Sequence, residues 1–290
     1  MSSYLVRGIS KKGSARFFAI DATDVVAEAQ KIHEASGTVI AALGRTLIGA
    51  LLLAEDLKGE EEILNVKIEC DGAIGGIIAT ANSKGEVKGE AVNKYADLPP
   101  TPNLKFDVKG IVGKGELKII KDMGLKEPYI GVVPITSGEI AEDFAYYFYT
   151  SEQIPSVVAL GVLVNPDLSI KNAGGYIIQL MPGVTDEFID ELEKRVGELE
   201  PITTMLNEKM NPEDIINKIF QGIEEVEFLA KKENVYRCRC DKDKYYRGLI
   251  TLGKTELKMM FEEQKEIEVE CHFCRKKYKF IEEEFDEFLK

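Results

Sequence analysis

Cys238-Arg239-Cys240, then thirty residues, then Cys271-His272-Phe273-Cys274: four of the five cysteines of this 290-residue chain fall into these two tight pairs. A soft divalent ion such as zinc takes four thiolates at the corners of a tetrahedron, and two short cysteine pairs on separate turns can supply them. The pattern around the second pair fits that use. Ile267 and Val269 alternate with glutamates running into Cys271, and Tyr278 and Phe280 alternate in the stretch that leaves Cys274. A strand, a Cys-x-x-Cys turn and a second strand make a zinc-knuckle hairpin, with a helix predicted over 249–261 ahead of it. A module of about sixty residues with few core side chains is expected to need its metal to fold.

Upstream of the cysteines the chain changes character. Residues 181–230 carry 13 acids against 4 bases, whereas residues 231–290 carry 14 against 15. Within the acidic stretch, Thr185 is placed to cap a helix with Phe188, Ile189, Leu192, Val196 and Leu199 on one stripe. Asn211-Pro212-Glu213-Asp214 starts another: a cap residue, proline at the first helical position, acids in the first turn. Ile215, Ile216, Ile219, Phe220 and Ile223 form its stripe. Short isolated helices are marginal in water, so both stripes need an apolar surface elsewhere in the chain.

Residues 1–180 mix helix and strand signals. Asp21 is placed to cap a helix reaching to about residue 37, and a second helix is predicted over 39–57, where Ala41, Ala42, Gly44 and Gly49 allow close packing. Strands are predicted at 64–70, 76–81, 86–92, 108–112, 115–121, 129–134, 157–164 and 175–180. Pro99-Pro100-Thr101-Pro102 reads as a stiff loop, and Thr136-Ser137-Gly138-Glu139 as a capping box opening a helix to about residue 151. The order lacks the strict strand–helix alternation of a doubly wound sheet. The predicted class is therefore α+β: an N-terminal sheet-and-helix domain over 1–180, an acidic amphipathic helical linker over 181–230, and a small four-cysteine zinc-binding domain over 231–290.

Composition narrows the function. A chain with 44% hydrophobic and 30% charged residues is globular. The first ten residues lack a basic segment followed by an apolar run, so no signal peptide is expected. The longest apolar stretch, 39–53, contains Arg45 and is read as too short for a bilayer and as a buried helix. A cytoplasmic protein without a membrane partner is expected. Its thiols stay reduced, so the pairs are metal ligands or redox switches rather than a secreted disulfide framework. A net charge of −13 and the lack of an aromatic-basic stripe count against nucleic acid as a partner.

Three readings of the cysteines compete. A closed structural zinc site would staple a small interaction or nucleic-acid-binding module; four sulfurs leave no open position for catalysis, so no catalytic residue is assigned. A redox switch is the sharper reading. Arg237, Arg239, Lys242, Lys244 and Arg247 flank the first pair, and Arg275, Lys276, Lys277 and Lys279 follow the second; positive charge favours thiolate. Both pairs are also close enough in sequence to form their own disulfides. A dithiol oxidoreductase built on Cys271 and Cys274 fits less well: such a motif opens a helix, whereas here a strand follows. Elsewhere, Cys70 reads as a buried structural thiol, His33 as a helix-surface residue, His272 as an exposed knuckle residue, and 71–76 as a hairpin turn. Phe144, Tyr146, Tyr147, Phe148 and Tyr149 read as core plus a packing face.

Taken with Ala42-Leu-Gly-Arg-Thr-Leu47, Tyr129-Ile-Gly-Val132, Ser151-Glu-Gln-Ile-Pro155 and Ala173-Gly-Gly-Tyr-Ile-Ile-Gln179, the cysteine spacing resembles that of the redox-regulated holdase chaperones, the 33-kilodalton heat-shock protein family. The resemblance covers essentially the whole chain. Asp241 stands where that family often has Ser, which bears on tuning rather than on metal binding. The resemblance implies that Cys238, Cys240, Cys271 and Cys274 bind zinc in an inactive reduced form. It implies that oxidation pairs Cys271 with Cys274 and Cys238 with Cys240, ejects zinc, and unfolds the tail and linker. Unfolding client proteins are then held without ATP, the active form associates into homodimers, and clients pass to ATP-driven foldase chaperones.

Overall fold

The stretch Ala15–Asp21 reads Ala-Arg-Phe-Phe-Ala-Ile-Asp, apolar on both faces, and a strand of that kind has to be covered twice. The computed structural model, which describes residues 3–102 and 105–289, shows how. Strands β1 (Tyr4–Ser10) and β2 (Ala15–Asp21) form a hairpin, followed by helices α1 (Thr23–His33) and α2 (Gly37–Leu53). Strands β3 (Ile63–Cys70), β4 (Ile77–Asn82) and β5 (Glu86–Ala91) form a meander. After α3 (Val108–Val112) come β6 (Gly115–Asp122), β7 (Tyr129–Pro134), α4 (Ala141–Tyr147), β8 (Ser156–Val164) and β9 (Ile170–Leu180). Three further helices, α5 (Asp186–Glu198), α6 (Ile202–Asn207) and α7 (Pro212–Phe220), lead into β10 (Val226–Glu233) and the short β11 (Val235–Tyr236).

These strands make two sheets, ordered β10-β1-β2-β9-β8 and β11-β5-β4-β3-β6-β7. Helix α2 lies between them, and every one of its residues except Arg45 is buried. Its small residues permit this: a Cβ on Gly44 would stand 2.7 Å from Val162, and one on Gly49 2.4 Å from the Phe144 ring. Leu5, Phe18, Ile20 and Ile177 point from the five-stranded sheet into this core. Their neighbours Val6, Phe17, Ala19, Tyr176 and Ile178 point the other way, into a second core closed by Phe188, Leu192, Ile202, Met205, Ile215, Ile216, Ile219 and Phe220 of α5–α7. The apolar stripes of the acidic stretch thus have their surface.

The chain divides into two compact units, one ending at Arg237 and one beginning at Cys238. The second holds α8 (Lys242–Ile250), α9 (Lys254–Glu263), the hairpin of β12 (Glu266–Glu270) and β13 (Lys277–Ile281), and α10 (Asp286–Leu289). Its core is Leu249, Leu257, Phe261, Ile267, Tyr278, Phe280, Phe285 and Leu289.

Several local expectations change. Residues 108–112 are a helix, not a strand, because the Asp107 carboxylate accepts from the Gly110 N–H at 2.8 Å and starts a turn. The loop at 136–140 is organised by buried Asp143 rather than by Thr136: its carboxylate accepts N–H bonds from Thr136, Ser137, Gly138 and Ile140. The helix over 249–261 is two helices, broken at Gly253, whose φ is +92°. His33 is buried, with Nε2 3.0 Å from the Tyr236 hydroxyl, and is no surface residue. The apolar helix with its terminal 3₁₀ turn runs Gly37–Asp56, 20 residues of mean hydropathy 1.8, so it is not too short to span a bilayer. The buried-helix reading stands, since 94% of its apolar 18-residue window is buried.

Candidate metal centre

The second unit builds its site from two turns. Cys238 and Cys240 precede α8, whose first turn is capped by Asp241 accepting from the Lys244 N–H at 2.7 Å. Cys271 and Cys274 lie in the β12–β13 turn. That turn closes through Arg275 N–H to the Cys271 carbonyl at 2.8 Å and Cys271 N–H to the Lys276 carbonyl at 2.9 Å. The four Sγ atoms all lie within 4.8 Å of one another. Cys238 and Cys271 approach to 3.7 Å, and Cys240 and Cys274 to 3.3 Å. A tetrahedral zinc ion with bonds of about 2.3 Å spaces its sulfurs by about 3.8 Å, so the donor set matches in type, number and spacing.

The electrostatics point the same way. Burial raises the Cys271 thiol, but the Tyr245 hydroxyl, the N–H groups of Cys274 and Phe273, and Cys240 outweigh it and bring it down to about 6. Cys238 is carried up to about 11, by burial first and by neighbouring sulfurs, against an N–H bond from Cys240. Cys274 is also raised, chiefly by burial. Cys271 holds negative charge readily, whereas Cys238 and Cys274 hold it poorly. A divalent cation removes that mutual repulsion and deprotonates coordinating thiols.

All four cysteines singled out by spacing therefore meet. Five of the flanking bases are engaged by carboxylates. Lys242, Arg275, Lys277 and Lys279 are paired with Glu284, Glu270, Glu268 and Glu266, and Arg237 with Glu86. What lowers Cys271 is the set of N–H and tyrosine donors. Two tyrosines were not foreseen: Tyr245, and Tyr278, whose hydroxyl lies 2.9 Å from the Cys240 carbonyl and 3.2 Å from its Sγ. The usable signal was that a tyrosine in a small core needs a partner for its oxygen. Cys70 stands apart, half-buried at the end of β3, its thiol raised by burial. His272 is exposed.

The chain matches known proteins along its length. The sequence model of the family described as "Hsp33 protein" matches residues 3–281. A 33 kDa chaperonin of Lachnoclostridium phytofermentans is 43% identical over 289 residues, covering 100% of this chain and 99% of that one. A 33 kDa chaperonin of Clostridium perfringens is 46% identical over 291 residues, covering 100% and 92%. The crystal structure of the 33 kDa chaperonin from Thermotoga maritima superposes with a TM-score of 0.91 at 37% identity, covering 100% of this chain and 98% of that one. The class these matches define is that of molecular chaperones. The chain belongs to the Hsp33 family.

Proposed function

We propose that the protein is a redox-regulated, ATP-independent holdase. It is silent while Cys238, Cys240, Cys271 and Cys274 are reduced and hold zinc, and active once they are disulfides. The observation that carries this reading is the gathering of four sulfurs within 4.8 Å in a module whose core, among the described residues, is eight buried apolar side chains. Zinc bound there supplies a cross-link, with an apparent binding free energy of roughly 10–16 kcal/mol in small zinc-dependent peptides. Pairing Cys238 with Cys240 and Cys271 with Cys274 takes two electrons from the two thiolates of each pair; one peroxide accepts them, takes up two protons from solvent and becomes two waters each time. No thiolate donor remains, and the module loses its cross-link.

In this reading residues 1–180 are the chaperone core, 181–230 the linker and 231–290 the switch. The linker's apolar side chains are each worth about 1.5–3 kcal/mol when buried. With α5–α7 detached, Phe17, Tyr176 and Ile178 on the sheet face open to unfolding clients. The switching lies in the different stability of the two states. Active molecules associate into dimers and later release clients to ATP-driven foldase chaperones in the cytoplasm.

The test measures zinc release and suppression of client aggregation together, before and after peroxide at elevated temperature. Both are expected to rise in step. Full aggregation suppression with zinc retained contradicts the reading.

A further inference from the structure

Residues 224–237 form a strap held differently from the helices that precede it. Strand β10 pairs with β1 from Tyr4 opposite Glu233 to Ser10 opposite Val226, with a register shift between Arg7 and Gly8 that passes over Leu229. Yet none of its eight side chains is buried. The chain then crosses to the other sheet, where β11 pairs with β5. Two glycines receive its backbone: a Cβ on Gly8 would stand 2.2 Å from the Glu227 carbonyl oxygen, and one on Gly85 2.4 Å from that of Glu233. Side-chain anchors gather at the two ends of the strap: Ser14 and the Lys12 N–H hold Glu224, Lys11 pairs with Glu225, and Tyr236 and Arg237 reach His33 and Glu86. Phe228 meets the Phe17 ring edge-on at 5.4 Å, Lys231 reaches Glu213 at 3.1 Å, and Lys232 pairs with Glu55. Glu213 lies on α7 and leaves with the linker. Glu55 follows α2 in the core, and its side chain is only 4% exposed.

We propose that the edge of β1, once the strap has left it, is a strand-addition site for an extended polypeptide segment bearing a basic residue placed to reach Glu55. The proposal rests on the redox reading above and names where that reading's clients make backbone contact. A vacated strand edge offers a row of unpaired N–H and C=O groups, and extended peptides add to such edges by main-chain hydrogen bonding. Charge decides which segments are taken. Departure of Lys232 leaves a nearly buried carboxylate without its cation, an arrangement that is strongly unfavourable. A lysine or arginine opposite Leu5, where Lys232 now sits, restores the pair. An apolar residue in the place of Phe228 covers Phe17. While docked, the tethered strap excludes free segments, because its effective concentration is of millimolar order.

The test uses the full-length protein, reduced with zinc and peroxide-treated, and a labelled peptide of residues 225–234, with hydrogen exchange of Val226–Glu233 recorded on the same samples. The peptide should bind the oxidised form at least about tenfold more tightly than the reduced form. A peptide carrying Lys232→Glu should lose about tenfold, and Glu55→Gln in the protein should level the two peptides. If the β10 amides lose protection on oxidation and the peptide gains no affinity, or the charge-reversed peptide binds equally, the site is refuted and the switch stands. If those amides stay protected, the strap does not leave β1 on oxidation, exchange across 186–220 judges the switch, and Gly85→Ala in the reduced protein decides the site independently. That change pushes the strap away at Glu233 without touching a cysteine, so peptide capture by the variant supports the site and its absence refutes it. An oxidised dimer that shuts the peptide out overturns the proposal in favour of a second copy's strap.

Discussion

The unit ending at Arg237 packs an apolar helix between two sheets and covers the outer face of one of them with three more helices. The unit beginning at Cys238 gathers its core around one ring: Phe285 lies 4.6 Å from Tyr246, 5.6 Å from Phe261 and 5.9 Å from Phe280. Beside that core stand four sulfurs. The first unit has apolar burial to spare. In the second, burial of this extent roughly balances chain entropy, and in the proposed reading a metal cross-link decides whether it is folded. In the proposed reading, chemistry at sulfur unfolds the second unit and frees α5–α7 of the first, while the two-sheet core stays folded.

Removing the metal should separate the units most. Chelation of the reduced protein, or serine at all four cysteine positions, should cost the second unit on the order of 10 kcal/mol. Amide protection over 238–289 should vanish while that of β3–β6 persists; joint loss in β3–β6 would erase the contrast. Next come core truncations, one in each unit. Phe285→Ala should cost about 3–5 kcal/mol and lower the peroxide needed to release zinc. Ile219→Ala should cost about 2–5 kcal/mol but act on the linker alone, giving a zinc-loaded, reduced protein that already suppresses aggregation. Zinc titration with a colorimetric chelator, run beside a light-scattering assay, checks both.

Tyr278→Phe sharpens the comparison within the site. It removes the hydroxyl beside the Cys240 sulfur and leaves the ring, so zinc affinity should fall about tenfold with little change in the fold. The smallest effect is one of pH. Although burial opposes it, bonds from Ser14 and the Lys12 N–H hold the Glu224 carboxyl below its ordinary value of 4.5. Tyr4 and Lys231 hold Glu213 down likewise, again against burial. Groups lowered by folding stabilise fully above their unfolded pKa, and that contribution is lost as pH falls through the folded value. Exchange at β10 should therefore quicken only below about pH 4.5, sooner than in β3–β6. A β10 equally protected at pH 3 and pH 7 would remove these carboxylates from the account.

What could be read from residues alone was local. Thr185 caps α5 through the Phe188 N–H, and Asn211 and Asp214 exchange bonds at the start of α7. The β12–β13 hairpin follows from alternation over five residues on each side. Strands β1 and β2 were not legible, because a strand covered on both faces has no alternation to see. Strand β10 was not legible for the opposite reason: it is polar, exposed and held mainly by backbone pairing. The burial of His33 depends on Tyr236, more than two hundred positions away. The cysteine spacing located the four sulfurs, but the donors that tune them come from the fold.

The central claim is that an intact sulfur-held module keeps α5–α7 on the sheet. Hydrogen exchange across 186–220, on zinc-loaded reduced protein and on peroxide-treated protein of known zinc content, tests it most directly. Protection there should collapse when zinc leaves, while β3–β6 stays unchanged. Helices that remain protected after the zinc has gone would contradict the account.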